Sequence, residues 1–228
     1  MSVWNKERKY TRKKKYRVWI GFALFWVKLF SRKREVRGRL VDGPCVYLCR
    51  HRDIDGVVGA FTSLKTVLRP WTLSVFTRYD TALKHFKEYT FSKKSCKSKA
   101  FTALFAPVCA WGIFSLARSA KAIAVYRGDE ARKSILTIKN SVRALEAGDS
   151  LLVFPDVDYA NAEKKTGGEV YQGFAMIDKL FFRRNEKRVD FVPVCIGEKR
   201  VVIHSPVQFG EQSEEDTIQT IVQGIYNE

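Results

Sequence analysis

The sequence predicts an α/β domain with a mostly parallel central sheet flanked by helices, entered through an N-terminal basic amphipathic helix of the interfacial kind. Three observations carry that prediction. Short apolar runs alternate with segments of helical period. One strand, helix and strand follow each other within about 30 residues, the span of a βαβ unit. Positive charge is crowded at one end of the chain rather than spread along it.

Taken in order, Cys45 to Cys49 (CVYLC) reads as the first strand, set off by the turn Asp42-Gly43-Pro44. Trp71 to Phe76 is the second, Ile123 to Tyr126 the third and Leu151 to Phe154 the fourth. Between the last two, Ile135, Ile138, Val142 and Leu145 recur at helical spacing, with Asp129 as a cap and Gly148 as a stop. That unit is expected to be parallel and right-handed. Phe191 to Ile196 and Val201 to His204 form a late pair joined through Gly197, Glu198 and Lys199. A final helix starts at a Ser213 cap, carries Glu214, Glu215 and Asp216 in its first turn, and shows Ile218, Ile221, Val222 and Ile225 on one face. Phe101 to Ala117 is a second long apolar stretch, interrupted by Pro107 and Gly112. It is expected to form a buried or membrane-dipping helix pair.

The 228 residues suffice for one core, and 46% hydrophobic residues place the chain among globular proteins. Five cysteines (Cys45, Cys49, Cys96, Cys109, Cys195) lack the paired spacing of a zinc site. They read as reduced thiols, and no metal is expected. Of the formal charge of +17, residues 1 to 40 hold fourteen Lys and Arg against Glu7 and Glu35, a net of +12, which leaves +5 for the other 188 residues. Such asymmetry argues against a uniformly basic nucleic-acid binder. The front end instead has a basic block (Lys6 to Arg17), the apolar run Val18 to Val27 with Trp19, Phe22, Phe25 and Trp26, and a closing basic group of Arg32, Lys33, Arg34 and Arg37. The run is too short to span a bilayer, which takes about 20 apolar residues. No small-residue cleavage site follows it. Cationic flanks around an aromatic-rich apolar centre suit the surface of an anionic membrane, while a core helix with solvated flanks is the plainer alternative. The chain divides on this reading into a membrane-interface segment, 1–40, and an α/β domain, 41–228.

Chemistry is expected at the carboxyl ends of the strands. The first strand runs into Arg50-His51-Arg52-Asp53-Ile54-Asp55-Gly56. His51 and Asp55 are four apart, so a helix starting here places them on one face. A carboxylate that holds one imidazole nitrogen leaves the other to accept a proton, although the same pair also serves as a structural hydrogen bond. The triplet His51-Arg52-Asp53 matches the catalytic loop of protein kinases, but Val58 stands where that loop needs Asn and no glycine-rich loop precedes it. Arg127 ends the third strand, where a guanidinium suits a phosphate or an ion pair with Asp129 or Glu130.

Four ordered blocks between about residue 44 and residue 197 resemble the glycerolipid acyltransferase family that includes bacterial 1-acylglycerol-3-phosphate acyltransferases. They are His51 to Asp55-Gly56 after a hydrophobic strand, Ala122 to Arg127, Leu152-Val153-Phe154-Pro155-Asp156 with the downstream Tyr171-Gln172-Gly173-Phe174, and Val192-Pro193-Val194. The resemblance implies His51 and Asp55 as the catalytic pair, with Arg127, Phe154, Pro155, Asp156 and Gly173 at the substrate. It implies transfer of a fatty acyl group from acyl-CoA or acyl-carrier protein to a lysophospholipid hydroxyl, with 1-acylglycerol-3-phosphate the expected acceptor and no bound cofactor. The enzyme would then sit, peripheral or monotopic, on the cytoplasmic face of the cell membrane, without nucleic acid. The chain departs from the family pattern in having three rather than four residues between His51 and Asp55, and Asp156-Val157-Asp158-Tyr159 where the family has Glu-Gly-Thr-Arg. Lys164 and Lys165 stand downstream as substitute cations. Another lipid acceptor is therefore the first alternative, and a non-catalytic basic module for membrane or nucleic acid is the second.

Overall fold

β2 (Val46–Cys49) is buried along its whole length, because it lies at the middle of a sheet that is covered on both faces. The computed structural model of the chain describes Gly21 and residues 33–51, 53–91, 99–126, 132–155 and 170–227. Seven strands form the sheet in the order β1-β7-β6-β2-β5-β3-β4. The others are β1 (Glu35–Arg37), β3 (Leu68–Leu73), β4 (Ile123–Val125), β5 (Ser150–Val153), β6 (Phe191–Ile196) and β7 (Arg200–Ile203). β6, β2, β5, β3 and β4 run parallel, and β7 turns back antiparallel to β6 with β1 alongside it. Among the described residues six α-helices accompany them: α1 (Asp53–Ser63), α2 (Tyr79–His85), α3 (Lys99–Ser119), α4 (Ser134–Glu146), α5 (Ala175–Asn185) and α6 (Glu214–Tyr226). The α/β architecture and its mostly parallel sheet are as the sequence predicts.

Strand alternation sorts the core into two layers. Val46, Leu48, Leu151, Val153 and Phe191 point to one side, where Val142 and Leu145 of α4, Ile177 and Phe181 of α5, and Ile218, Ile221 and Ile225 of α6 cover them. Cys45, Tyr47, Cys49, Leu152, Val192, Val194 and Ile196 point to the other, against Ala60 of α1 and Leu64 just after it. Burial pushes the Cys45 thiol up to about 11, which keeps it protonated and makes it a packing residue. α6 starts as expected, with the Ser213 side chain accepting a hydrogen bond from the Asp216 amide at 3.1 Å.

Three readings change. The sheet begins inside the stretch assigned to the basic segment: the backbone amide of Glu35 donates to the Lys199 carbonyl, and β1 pairs with β7. A three-residue, charged edge strand has no periodicity to betray it. Of the interfacial helix expected over Val18 to Val27, Gly21 alone is among the described residues, and its backbone is helical. β3 starts earlier than Trp71, at Leu68, and runs through Pro70. Residues 68–70 ladder only with β5 and 71–73 only with β4, so one missing amide at Pro70 is tolerated, while Arg69 pairs with Asp149 at 2.9 Å. β4 and β5, joined through α4, are parallel as expected, and β3 lies between them in the sheet, so the crossover skips one position. Finally, α3 is one helix rather than two. Pro107 sits inside it, and the residue whose carbonyl loses its donor, Ala103, is exposed and open to solvent.

α1 lies unusually close to the sheet because two glycines allow it. A Cβ at Gly56 would stand 2.5 Å from the His51 carbonyl oxygen, and one at Gly59 would stand 2.6 Å from Cγ2 of Ile196. Gly112 in α3 has nothing within 4 Å of such an atom. Gly56→Ala is therefore expected to destabilise the fold by about 1–3 kcal/mol through overpacking against backbone. Gly112→Ala is expected to stabilise it by up to about 1 kcal/mol through helix propensity. Chemical denaturation of both variants checks the contrast, and equal effects would contradict the close approach.

Candidate active site

The chain leaves β2 toward α1 on one face of the sheet and leaves β5, its neighbour, toward α5 on the opposite face. Adjacent parallel strands whose exits diverge open a crevice beyond their carboxyl ends, the usual ligand position in open α/β sheets. His51 stands two residues past β2, and Phe154 immediately follows β5. Their rings meet edge to face, 5.2 Å between centroids at 75°. His51 is partly buried, and its Nδ1 is sealed from solvent. The preceding Arg50 goes elsewhere, its guanidinium 4.9 Å over the Tyr226 ring of α6.

Pro155 is buried beside Phe154, and its carbonyl accepts the Tyr171 amide at 2.8 Å. That bond ties the Tyr171-Gln172-Gly173-Phe174 segment to the end of β5. Gly173 lies in a 3-10 turn (Gln172–Phe174), and a Cβ there would stand 2.3 Å from Cε1 of Tyr171, so the exposed Tyr171 ring folds back over it. Phe174 then anchors the segment in the core, 5.9 Å from the Phe191 ring centre. His51, Phe154, Pro155 and Gly173 thus belong to one edge of the sheet. Arg127, Asp156, Lys164 and Lys165 lie outside the described residues.

Asp55, in the first turn of α1, accepts a hydrogen bond from Arg34: Nη2 of Arg34 donates to Oδ1. The same guanidinium donates through Nε to the Gly197 carbonyl at 2.9 Å, at the carboxyl end of β6. Arg34 is only 3% exposed, whereas Asp55 is 53% exposed. So the cation is the fixed member and the carboxylate the one it holds. Nothing in the spacing of the sequence marks Arg34, which reads there as one more charge in a basic run. Among the described residues, no group of three or more His, Cys, Asp or Glu side chains is arranged to hold a metal ion.

No protein-family model, curated protein or solved structure gives a significant match to the chain.

A buried guanidinium with two acceptors couples the entry strand, β6 and α1. A double-mutant cycle on Arg34→Met and Asp55→Asn should give a coupling energy of about 0.5–1.5 kcal/mol, with either single change costing about 1–3 kcal/mol because a buried polar group loses a partner. Strict additivity in denaturant unfolding would show that the pair contributes nothing to the fold.

Proposed function

We propose that this protein is an acyltransferase that moves a fatty acyl group from an acyl thioester, acyl-CoA or acyl-carrier protein, to the hydroxyl of a lysophospholipid. The observation that carries the reading is the meeting of His51 with Phe154 at the diverging carboxyl ends of β2 and β5. Two blocks of the resemblance, about a hundred residues apart in sequence, come together there. Asp55 lies four residues after His51, in the first turn of the helix that Gly56 allows against the His51 backbone.

In this reading His51 takes the proton of the acceptor hydroxyl as that oxygen attacks the thioester carbonyl. The tetrahedral intermediate collapses by breaking the carbon–sulfur bond, and the imidazolium returns the proton to the departing thiolate. Arg34 holds one carboxylate oxygen of Asp55, Oδ1. The second oxygen is assigned to the imidazole, where it fixes the tautomer and stabilises the imidazolium. Catalytic hydrogen bonds commonly tighten only once substrate binds. Arg127 is assigned to the acceptor phosphate, where the fork of a guanidinium matches phosphate oxygens. Phe154, Pro155, Asp156 and Gly173 are assigned to the wall of the substrate site. The altered segment after Pro155 makes the acceptor 1-acylglycerol-3-phosphate or another lysolipid, and the enzyme works at the cytoplasmic face of an anionic membrane.

Purified protein with lipid vesicles is expected to transfer a labelled acyl group to one of a panel of lysophospholipids. His51→Ala should lower the rate about 10²- to 10⁴-fold while leaving the thermal midpoint unchanged. Wild-type protein that acylates no member of the panel, or a His51→Ala variant of full activity, would refute the assignment. Removal of residues 1–30 should lower the rate on bilayers more than on detergent-dispersed acceptor, and equal losses would refute a role in membrane binding.

A further inference from the structure

α3 is built inside out. A helix on the surface of a globular protein turns its large apolar side chains inward. Here the residues packed inward, toward α2 and the turns that flank it, are small: Ala106, Ala110 and Ala117 are buried. The large ones face outward, with Leu104 67% and Val108 63% exposed, and Phe105, Trp111 and Leu116 exposed on the same side. Positions 104, 108 and 111 recur once per turn, so the exposed groups form a continuous stripe. Single exposed apolar residues are ordinary, but a stripe of this kind marks a surface that something covers.

Charge identifies the occupant. From Tyr89 to Gly128, forty residues contain no Asp or Glu and seven Lys or Arg: Lys93, Lys94, Lys97 and Lys99 lead into the helix, and Arg118, Lys121 and Arg127 follow it. A second copy docked on the stripe about a two-fold axis would set these cations against their own equivalents. Anionic headgroups would instead neutralise them at about 1 kcal/mol for each Lys or Arg. Tyr79 and Tyr89, both exposed, add amphipathic rings of the kind found at membrane interfaces. Phe101–Ser119 is long and apolar enough to cross a bilayer by length and composition. Its alanine face is packed on protein, however, so lipid can reach one side only.

We propose that α3 is a monotopic seat: it lies in the plane of an anionic bilayer, with Leu104, Phe105, Val108, Trp111 and Leu116 in the acyl boundary and the exposed Arg118 and Lys121 at the headgroups. This contact serves the acyl-transfer reading but does not depend on it, because binding is measured without turnover and equally with His51→Ala protein. Flotation of the full chain with vesicles of equal phosphatidylglycerol and phosphatidylcholine tests it. Leu104→Glu with Val108→Glu is expected to lower partitioning about tenfold or more, at unchanged thermal midpoint. The milder pair Leu104→Gln and Val108→Thr should give an intermediate loss, and it keeps the test decisive if the glutamates disturb folding. Wild-type partitioning in both variants would overturn the proposal. So would a wild-type dimer in sedimentation that the glutamate pair converts to monomer while vesicle binding persists.

Discussion

The contact between the first turn of α1 and the backbone that leaves β2 governs the rest of the candidate site. A hydrogen atom at position 56 is the only substituent that lets the helix sit against the His51 carbonyl. From that seat follow the direction in which α1 exits, the position of Asp55 beside the sheet edge, and the reach of Arg34 to both Asp55 and the Gly197 carbonyl. Gly59 extends the same close approach to Ile196 at the end of β6. In open α/β folds ligands gather beyond the carboxyl ends of the strands, and here the pair of glycines in Asp53–Ser63 lets α1 start close against that end of the sheet.

The inner strands were the most legible part of the sequence. β2, β5 and β6 are unbroken apolar runs because both faces of each are covered, and that constraint writes itself directly into residue type. α6 was equally plain, since its Ser213 cap, acidic first turn and isoleucine face all act through local geometry. What escaped was structure set by neighbours. β1 is charged because it lies at an edge, and β3 carries Arg69 and Pro70 because Asp149 and a one-sided ladder accommodate them. The continuity of α3 through Pro107 depends on an exposed carbonyl, which no pattern of residue types announces.

The candidate site was legible in the same uneven way. His51, Asp55, Phe154, Pro155 and Gly173 stand in short motifs, and sequence alone singles them out. That β2 and β5 are neighbours, and hence that His51 meets Phe154, is a fact of strand order. Arg34 was hidden in plain view among basic residues, because a guanidinium that holds a carboxylate looks in sequence like one that faces a membrane. The two roles separate only through burial: the Arg34 side chain is enclosed by the fold, whereas Arg118 and Lys121, at the end of α3 and just after it, are exposed.

The central claim is that His51 lies where the acyl acceptor binds. The chain holds three histidines, so imidazole nitrogen resonances of His51, His85 and His204 can be followed individually. With a short-chain lysophospholipid titrated below its micelle concentration, the His51 resonances should shift, while those of His204, beside Gly224 of α6, stay in place. A His51 signal that does not move as lysophospholipid reaches saturating binding would contradict the account.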